Sequence, residues 1–136
     1  MKKYILPLFL CLIAACSDSD DNGANEGSSV NPTENMLIVV NQGSYYDGID
    51  GTLTAVDLQN GTTNSNVFAA ANNGISLGGS PQAATLSGNL LDIPVFESNL
   101  VWVVEAASLK VKHQIQVNNP QNVVVANSIV FVSGND

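Results

Sequence analysis

Pro81-Gln82-Ala83-Ala84-Thr85-Leu86 opens a stretch that runs through Leu90–Val95, Leu100–Val104 and Leu109–Val117 to Asn119, and its reading decides the fold. Four short apolar runs recur within it at intervals of about ten residues. Pro120-Gln121-Asn122-Val123-Val124-Val125 opens the same way 39 positions later, and Asn127-Ser128-Ile129-Val130-Phe131-Val132 echoes Asn89 to Val95 at an offset near 38. Upstream, Met36–Val40 matches the second run, and Thr52-Leu53-Thr54-Ala55-Val56-Asp57 lies 48 positions before Leu100-Val101-Trp102-Val103-Val104-Glu105. The first copy is therefore longer and carries insertions, and its own first run is missing.

A period of about 40 residues with four strands in each repeat is the sequence signature of propeller blades. The chain reads as all-β: an incomplete β-propeller of about two and a half four-stranded blades over residues 36–136, with blade boundaries near 80 and 119. Charge is sparse at 12%, arginine is absent, and aliphatic and β-branched residues dominate, as suits strands better than disorder. Of the 136 residues, about 100 are left for a folded domain. A whole propeller of six to eight such blades needs about 250 to 350 residues. The sequence therefore reads as part of a longer propeller or as a truncated product.

Met1-Lys2-Lys3 is a basic start, Tyr4–Ile13 an apolar run, and Ala14-Ala15-Cys16 a small-residue end. This is a secretory signal over residues 1–15, too short to span a bilayer. Leu12-Ile13-Ala14-Ala15-Cys16 resembles a bacterial lipobox, which implies that Cys16 becomes the first mature residue and is acylated. Cys11 would be removed with the signal, so the mature chain carries no free thiol and no disulfide. Residues 16–35 then form the lipidated cysteine and a flexible, disordered tether, acidic at Asp18, Asp20 and Asp21 and otherwise rich in Asn, Gly and Ser. Its acidic start resembles the export tags of lipoproteins displayed on the outer face of the outer membrane. Without Lys2 and Lys3, only Lys110 and Lys112 oppose twelve carboxylates, a formal charge of −10. Such a chain is not expected to bind nucleic acid or to adsorb to anionic lipid by charge.

Asn41 to Gly51 is a Gly-rich loop that carries Tyr45 and Tyr46. Two adjacent tyrosines there offer a stacking surface for a planar ligand, or else pack on their own strand ends. Asp47 and Asp50 do not meet the spacing of a calcium loop, and turn chemistry explains them better. Thr63–Phe68 reads as a weaker outer strand, and Ala69–Gly74 as one helical turn that ends at Gly74. The glycines at 74, 78 and 79 make no phosphate loop, for no Lys-Ser/Thr follows them. Pro94 lies inside the strand Leu90–Val95 and marks it as irregular or bulged. Leu109, Val111, His113, Ile115 and Val117 alternate with polar residues, which puts His113 on an apolar face as a packing residue and Lys110 and Lys112 on a protected outer edge.

Nothing in this pattern assembles a catalytic group, a metal site or a cofactor site. The single histidine has no cysteine to activate, no serine carries a nucleophile-elbow pattern, and no carboxylate pair is placed to converge. The reading is therefore not an enzyme.

Pro120–Val125 with Ile129-Val130-Phe131-Val132-Ser133-Gly134-Asn135, together with Val103-Val104-Glu105, resembles the repeat of Y-V-T-N-type β-propeller lipoproteins. Asn41-Gln42-Gly43, Gly51-Thr52-Leu53-Thr54, Val67-Phe68 and Asn73-Gly74 before Leu77-Gly78 resemble the first blade of surface propeller lipoproteins encoded beside TonB-dependent transporters. The resemblance covers about 36–136 and departs from the pattern at Asp92 and Pro94. It implies a lipid-anchored protein of the outer membrane, facing the cell exterior, that captures a cobalamin-like nutrient for a TonB-dependent transporter, with Tyr45 and Tyr46 as candidate ligand contacts. A surface lipoprotein that docks a protein partner without a small ligand is the alternative, and a non-functional truncated fragment a further one.

Overall fold

A computed structural model describes residues 35–135. The expected signal, Cys16 and, apart from Asn35, the tether lie outside the described residues. Strands β1 (Met36–Asn41), β2 (Thr52–Asp57) and β3 (Thr63–Asn64) form the first sheet. A short helix, α1 (Val67–Ala71), leads to a central sheet of β4 (Thr85–Ser87), β5 (Leu90–Val95), β6 (Leu100–Glu105) and β7 (Val111–Gln116). A hairpin of β8 (Pro120–Ala126) and β9 (Ile129–Gly134) follows. All ladders are antiparallel and join consecutive strands, so each sheet is a meander. The chain is all-β, as its composition and spacing imply.

The repeat is one of hydrogen-bond register as well as sequence. Thr85↔Asp92, Leu86↔Leu91 and Ser87↔Leu90 recur 39 residues on as Val124↔Phe131, Val125↔Val130 and Ala126↔Ile129. The bridge Pro81↔Val95 recurs as Pro120↔Gly134. The Phe96 amide donates to the Ser80 carbonyl at 3.0 Å, and the Asn135 amide to the Asn119 carbonyl at 3.2 Å. The first sheet fits the same frame, with Met36↔Asp57 to Asn41↔Thr52 recurring as Leu90↔Glu105 to Val95↔Leu100. Ten residues, 42–51, join β1 to β2, against four, 96–99, between β5 and β6. The insertion expected in the first copy is thus the loop that carries both tyrosines.

Period-two alternation gives each sheet a forward and a backward face. Leu53 and Ala55 on the forward face of the first sheet meet Leu91, Ile93, Val95, Leu100, Trp102 and Val104 on the backward face of the central sheet in one core. Phe68 from α1 fills the space between them and lies 5.5 Å from the Trp102 ring, centroid to centroid. Trp102 Nε1 donates to the Leu77 carbonyl at 2.8 Å, so the indole buries its apolar body while its one donor stays paired. The forward face of the central sheet meets β8, where Val123 is buried and its carbonyl accepts from Thr85 Oγ1 at 2.9 Å.

Three expectations need correction. Thr63–Phe68 is not one strand. β3 stops at Asn64, Asn66 turns left-handed at φ 55°, and α1 takes Val67 and Phe68 into the core. A helix of five residues does not hold by propensity, and burial of these two side chains explains its presence. Pro94 does not disturb its own strand, since β5 keeps an unbroken register with β6 through Pro94↔Val101. Its carbonyl accepts from the Gln82 amide on the other side, so the missing donor also points that way, where the extra residue lies between Pro81 and Thr85. His113 is not on the apolar face with Leu109 and Val111. Val104 pairs with Val111 but Val103 with His113, so an extra residue, Lys112, bulges from β7. Val111 packs on the core, whereas His113 falls on the forward face and is exposed.

Candidate functional site

The loop between β1 and β2 is pinned at its base by Asn41, whose Nδ2 donates to Thr52 Oγ1 at 3.1 Å and to Thr54 Oγ1 at 2.8 Å. It folds as a small hairpin in which the amides of Ser44 and Ile49 donate to each other's carbonyls at 2.9 and 3.0 Å. Gly43 is needed at its neck: φ is 77°, and a Cβ there would lie 2.2 Å from the Ile49 carbonyl oxygen. Ser44 Oγ donates to Asp47 at 2.6 Å, and Ser76 Oγ to Asp50. The two carboxylates are thus tied separately, Asp47 within its own turn and Asp50 to a serine 26 residues further along, a contact that turn chemistry does not account for. Among the described residues no three His, Cys, Asp or Glu side chains gather to hold a metal ion.

The hairpin lifts Tyr45 and Tyr46 clear of the sheet, with rings edge to face at 5.4 Å and exposures of 67% and 94%. Tyr45 lines a groove of about 280 Å³ with Gln42, Gly43, Ser80, Gln82, Phe96 and Gln121, and Tyr46 stands outside it. The groove follows from the repeat. Gln42 and Phe96 come directly after β1 and β5, and Gln82 and Gln121 directly after Pro81 and Pro120. Successive units therefore bring the same two positions to one end. Gln82 Nε2 donates to the Ser80 carbonyl at 2.9 Å, which leaves its side-chain oxygen as an acceptor. Three amides and two aromatic rings can hydrogen-bond a neutral polar edge and cover a flat one.

Of the residues that line this groove, the sequence singles out Tyr45 but not Gln42, Gln82, Phe96 or Gln121. The recurrence of Pro-Gln at 81–82 and 120–121 was the available signal, since identical positions in stacked repeats meet on one edge. A second groove, of about 370 Å³, lies between the central sheet and the β8–β9 hairpin, with Leu90, Asp92, Val103, His113, Val125 and Val130 among its walls. Asp92, only 3% exposed, stands in a cross-strand row with Thr85, Val103 and His113. Burial pushes its carboxyl above the ordinary value. Compared with models of known protein families and with curated proteins, the chain matches none of them.

Proposed function

We propose that the chain is a lipid-anchored ligand-capture module, tethered through Cys16 to the outer membrane and displayed outward. Its three meanders are read as successive β-propeller blades, and its groove takes part of a planar, cobalamin-like nutrient for a TonB-dependent transporter. The observation that carries this reading is the groove itself: equivalent positions of successive units line it, and the six-residue lengthening of the first loop places Tyr45 over it. Size sets a limit. At about 280 Å³ the groove is just below the range of small-molecule sites, about 300–1,000 Å³, so it engages an edge of a corrinoid rather than enclosing one.

Isothermal titration of the full chain in mild detergent with cyanocobalamin tests the reading. Saturable one-to-one binding is the expected result. Absence of heat at ligand concentrations up to the millimolar range would remove corrinoid capture. The protein-docking alternative has an observation of its own, the exposed apolar side chains of Val124, Ile129 and Phe131 on the hairpin.

A further inference from the structure

We infer, on the reading of the groove as a ligand site, that Asp50 is a positioning residue: bound to Ser76, its carboxylate clasps the tyrosine loop to the connector between α1 and β4 and so holds Tyr45 over the groove. Tyr45 needs such a hold, because it stands on an exposed hairpin and its ring takes no part in the core. The bonds among Ser44, Asp47 and Ile49 fix the shape of that hairpin but not where it lies.

Placement comes from the far end of the loop. Asp50 accepts from Ser76 Oγ, which accepts in turn from the Gly78 amide at 3.2 Å. The Gly78 carbonyl accepts from the Gly51 amide at 2.9 Å, and this closes a ring of bonds between residues 50–51 and 76–78. Gly51 packs so closely on the Pro81 ring that a Cβ there would collide with it. On its other side the same connector is tied to the loop that carries Phe96. Ser98 Oγ accepts from the Gly79 amide at 3.0 Å, the Gly79 carbonyl from the Glu97 amide at 3.2 Å, and the Ser80 carbonyl from the Phe96 amide at 3.0 Å. Residues 76–82 therefore lie between the loop of Tyr45 and the loop of Phe96, and they carry Ser80 and Gln82 to the groove themselves. Among the described residues, Asp50 with Ser76 is the tie on this connector made by two side chains, so it can be removed while every backbone bond stays available. A carboxylate is a strong acceptor for a hydroxyl, and an asparagine oxygen keeps the bond in neutral form.

The full chain in mild detergent, labelled with fluorotyrosine, gives the test, with the Tyr45 signal assigned through Tyr45→Phe. Asp50→Ala and Ser76→Ala are expected to move that signal to the same new position and to speed exchange of the Gly51 amide about fivefold, the scale of one hydrogen bond. The combined variant should go no further, and Asp50→Asn should return both readings to near wild type. Unchanged exchange in β5 and β6 establishes that the variants fold. In titrations with cyanocobalamin, Asp50→Ala should weaken binding about fivefold, and should cost nothing more once Tyr45 is alanine, since the clasp acts through that ring. A Tyr45 signal unmoved by Asp50→Ala, additive effects of the two alanine variants, or an equal loss of binding without Tyr45 would each overturn the proposal. Absence of cyanocobalamin binding by the wild type would end corrinoid capture, and the tyrosine signal and the exchange rates would then decide the clasp by themselves.

Discussion

Asn72 Nδ2 donates to the carbonyl oxygen of Leu109 at 2.9 Å, 37 residues further along the chain. The same amide donates to the Phe68 carbonyl at 2.8 Å, and its oxygen accepts from the Val111 amide at 2.9 Å. One buried side chain therefore closes α1 and fastens the start of β7. This contact ties the connector that leaves the first sheet to the outermost strand of the next.

Asn72→Ala is expected to cost about 1–3 kcal/mol for each buried group it orphans, because the Leu109 carbonyl and the Val111 amide lose a partner where water does not easily replace it. Urea unfolding checks the total. Hydrogen exchange at the Val111 amide checks the cause, since that proton should exchange at least tenfold faster while amides in β1 change little.

Leu109 adopts φ 55° at the register position where the first unit has Gly61, at φ 74°. Both amides donate back at 2.8 Å, Gly61 to Asp57 and Leu109 to Glu105. A side chain in this region costs about 1–2 kcal/mol, and burial of a leucine offsets it by about 2–5 kcal/mol. Leu109 is fully buried, so Leu109→Gly should destabilise by about 1–3 kcal/mol despite relieving the backbone. At Gly61 an added Cβ meets nothing within 4 Å, so Gly61→Ala should cost only the backbone term of about 1–2 kcal/mol. Thermal melts of the two variants separate the terms. A stabilised Leu109→Gly would show that backbone strain outweighs burial there.

These residues also mark what the sequence makes legible. Apolar runs in a 39-residue frame disclose sheets, strand order and hairpin register, because register follows from which residues must be buried together. The extra residue at Lys112 has no such signature, since Leu109, Val111, His113 and Ile115 alternate cleanly on paper. Only pairing with Val103 and Val104 reveals that His113 has changed face. Phe68 likewise reads as strand by its neighbours and is helical because the space beside Trp102 claims it. Tyr45 draws notice because aromatic residues on a long loop stand out. The glutamines that line the groove with it come together only when the repeat superposes them.

Asp92 gives the chain a pH dependence of definite sign. Burial penalises the charged carboxylate, so the folded chain keeps this proton to higher pH than the unfolded one. Its contribution to stability is fully present below the ordinary carboxylate pKa and is lost as pH rises through the raised value. Glu105 acts in the opposite sense, since the Ser108 hydroxyl and the Lys112 ammonium hold its carboxyl low. The informative quantity is therefore the difference between wild type and Asp92→Asn. In urea midpoints from about pH 4 to pH 8, the variant should lose the downward component and be the more stable protein at neutrality. Parallel pH profiles would remove Asp92 as its source.

Cys16→Ala tests the anchor. Each buried methylene of an acyl chain contributes about 0.8 kcal/mol, so loss of the acylated cysteine should move the protein from the membrane to the soluble fraction. Protease treatment of intact cells making the wild-type chain should remove it if it faces outward. An unchanged membrane fraction in the variant would end the lipoprotein reading, and resistance to protease would end outward display.

The two tyrosines of the loop should separate in function. Tyr45 lies on the groove with Phe96 and Gln82, whereas Tyr46 is 94% exposed and outside it, touching the site only through its edge-to-face contact with Tyr45. If the groove takes the edge of a planar ligand, Tyr45→Ala should weaken binding by about 1–3 kcal/mol, the scale of a stacked aromatic contact, and Tyr46→Ala by less than about 0.5 kcal/mol. Gln82→Ala and Gln121→Ala, which also line the groove, should each cost about 0.5–1.5 kcal/mol if their amides bond the ligand. Neither tyrosine is part of the core, so melting temperatures should stay near wild type. Titration of the four variants with cyanocobalamin gives the pattern. Equal losses at Tyr45 and Tyr46 would place the ligand on the outer surface of the hairpin, and tight binding indifferent to all four would move the site away from this end of the sheets.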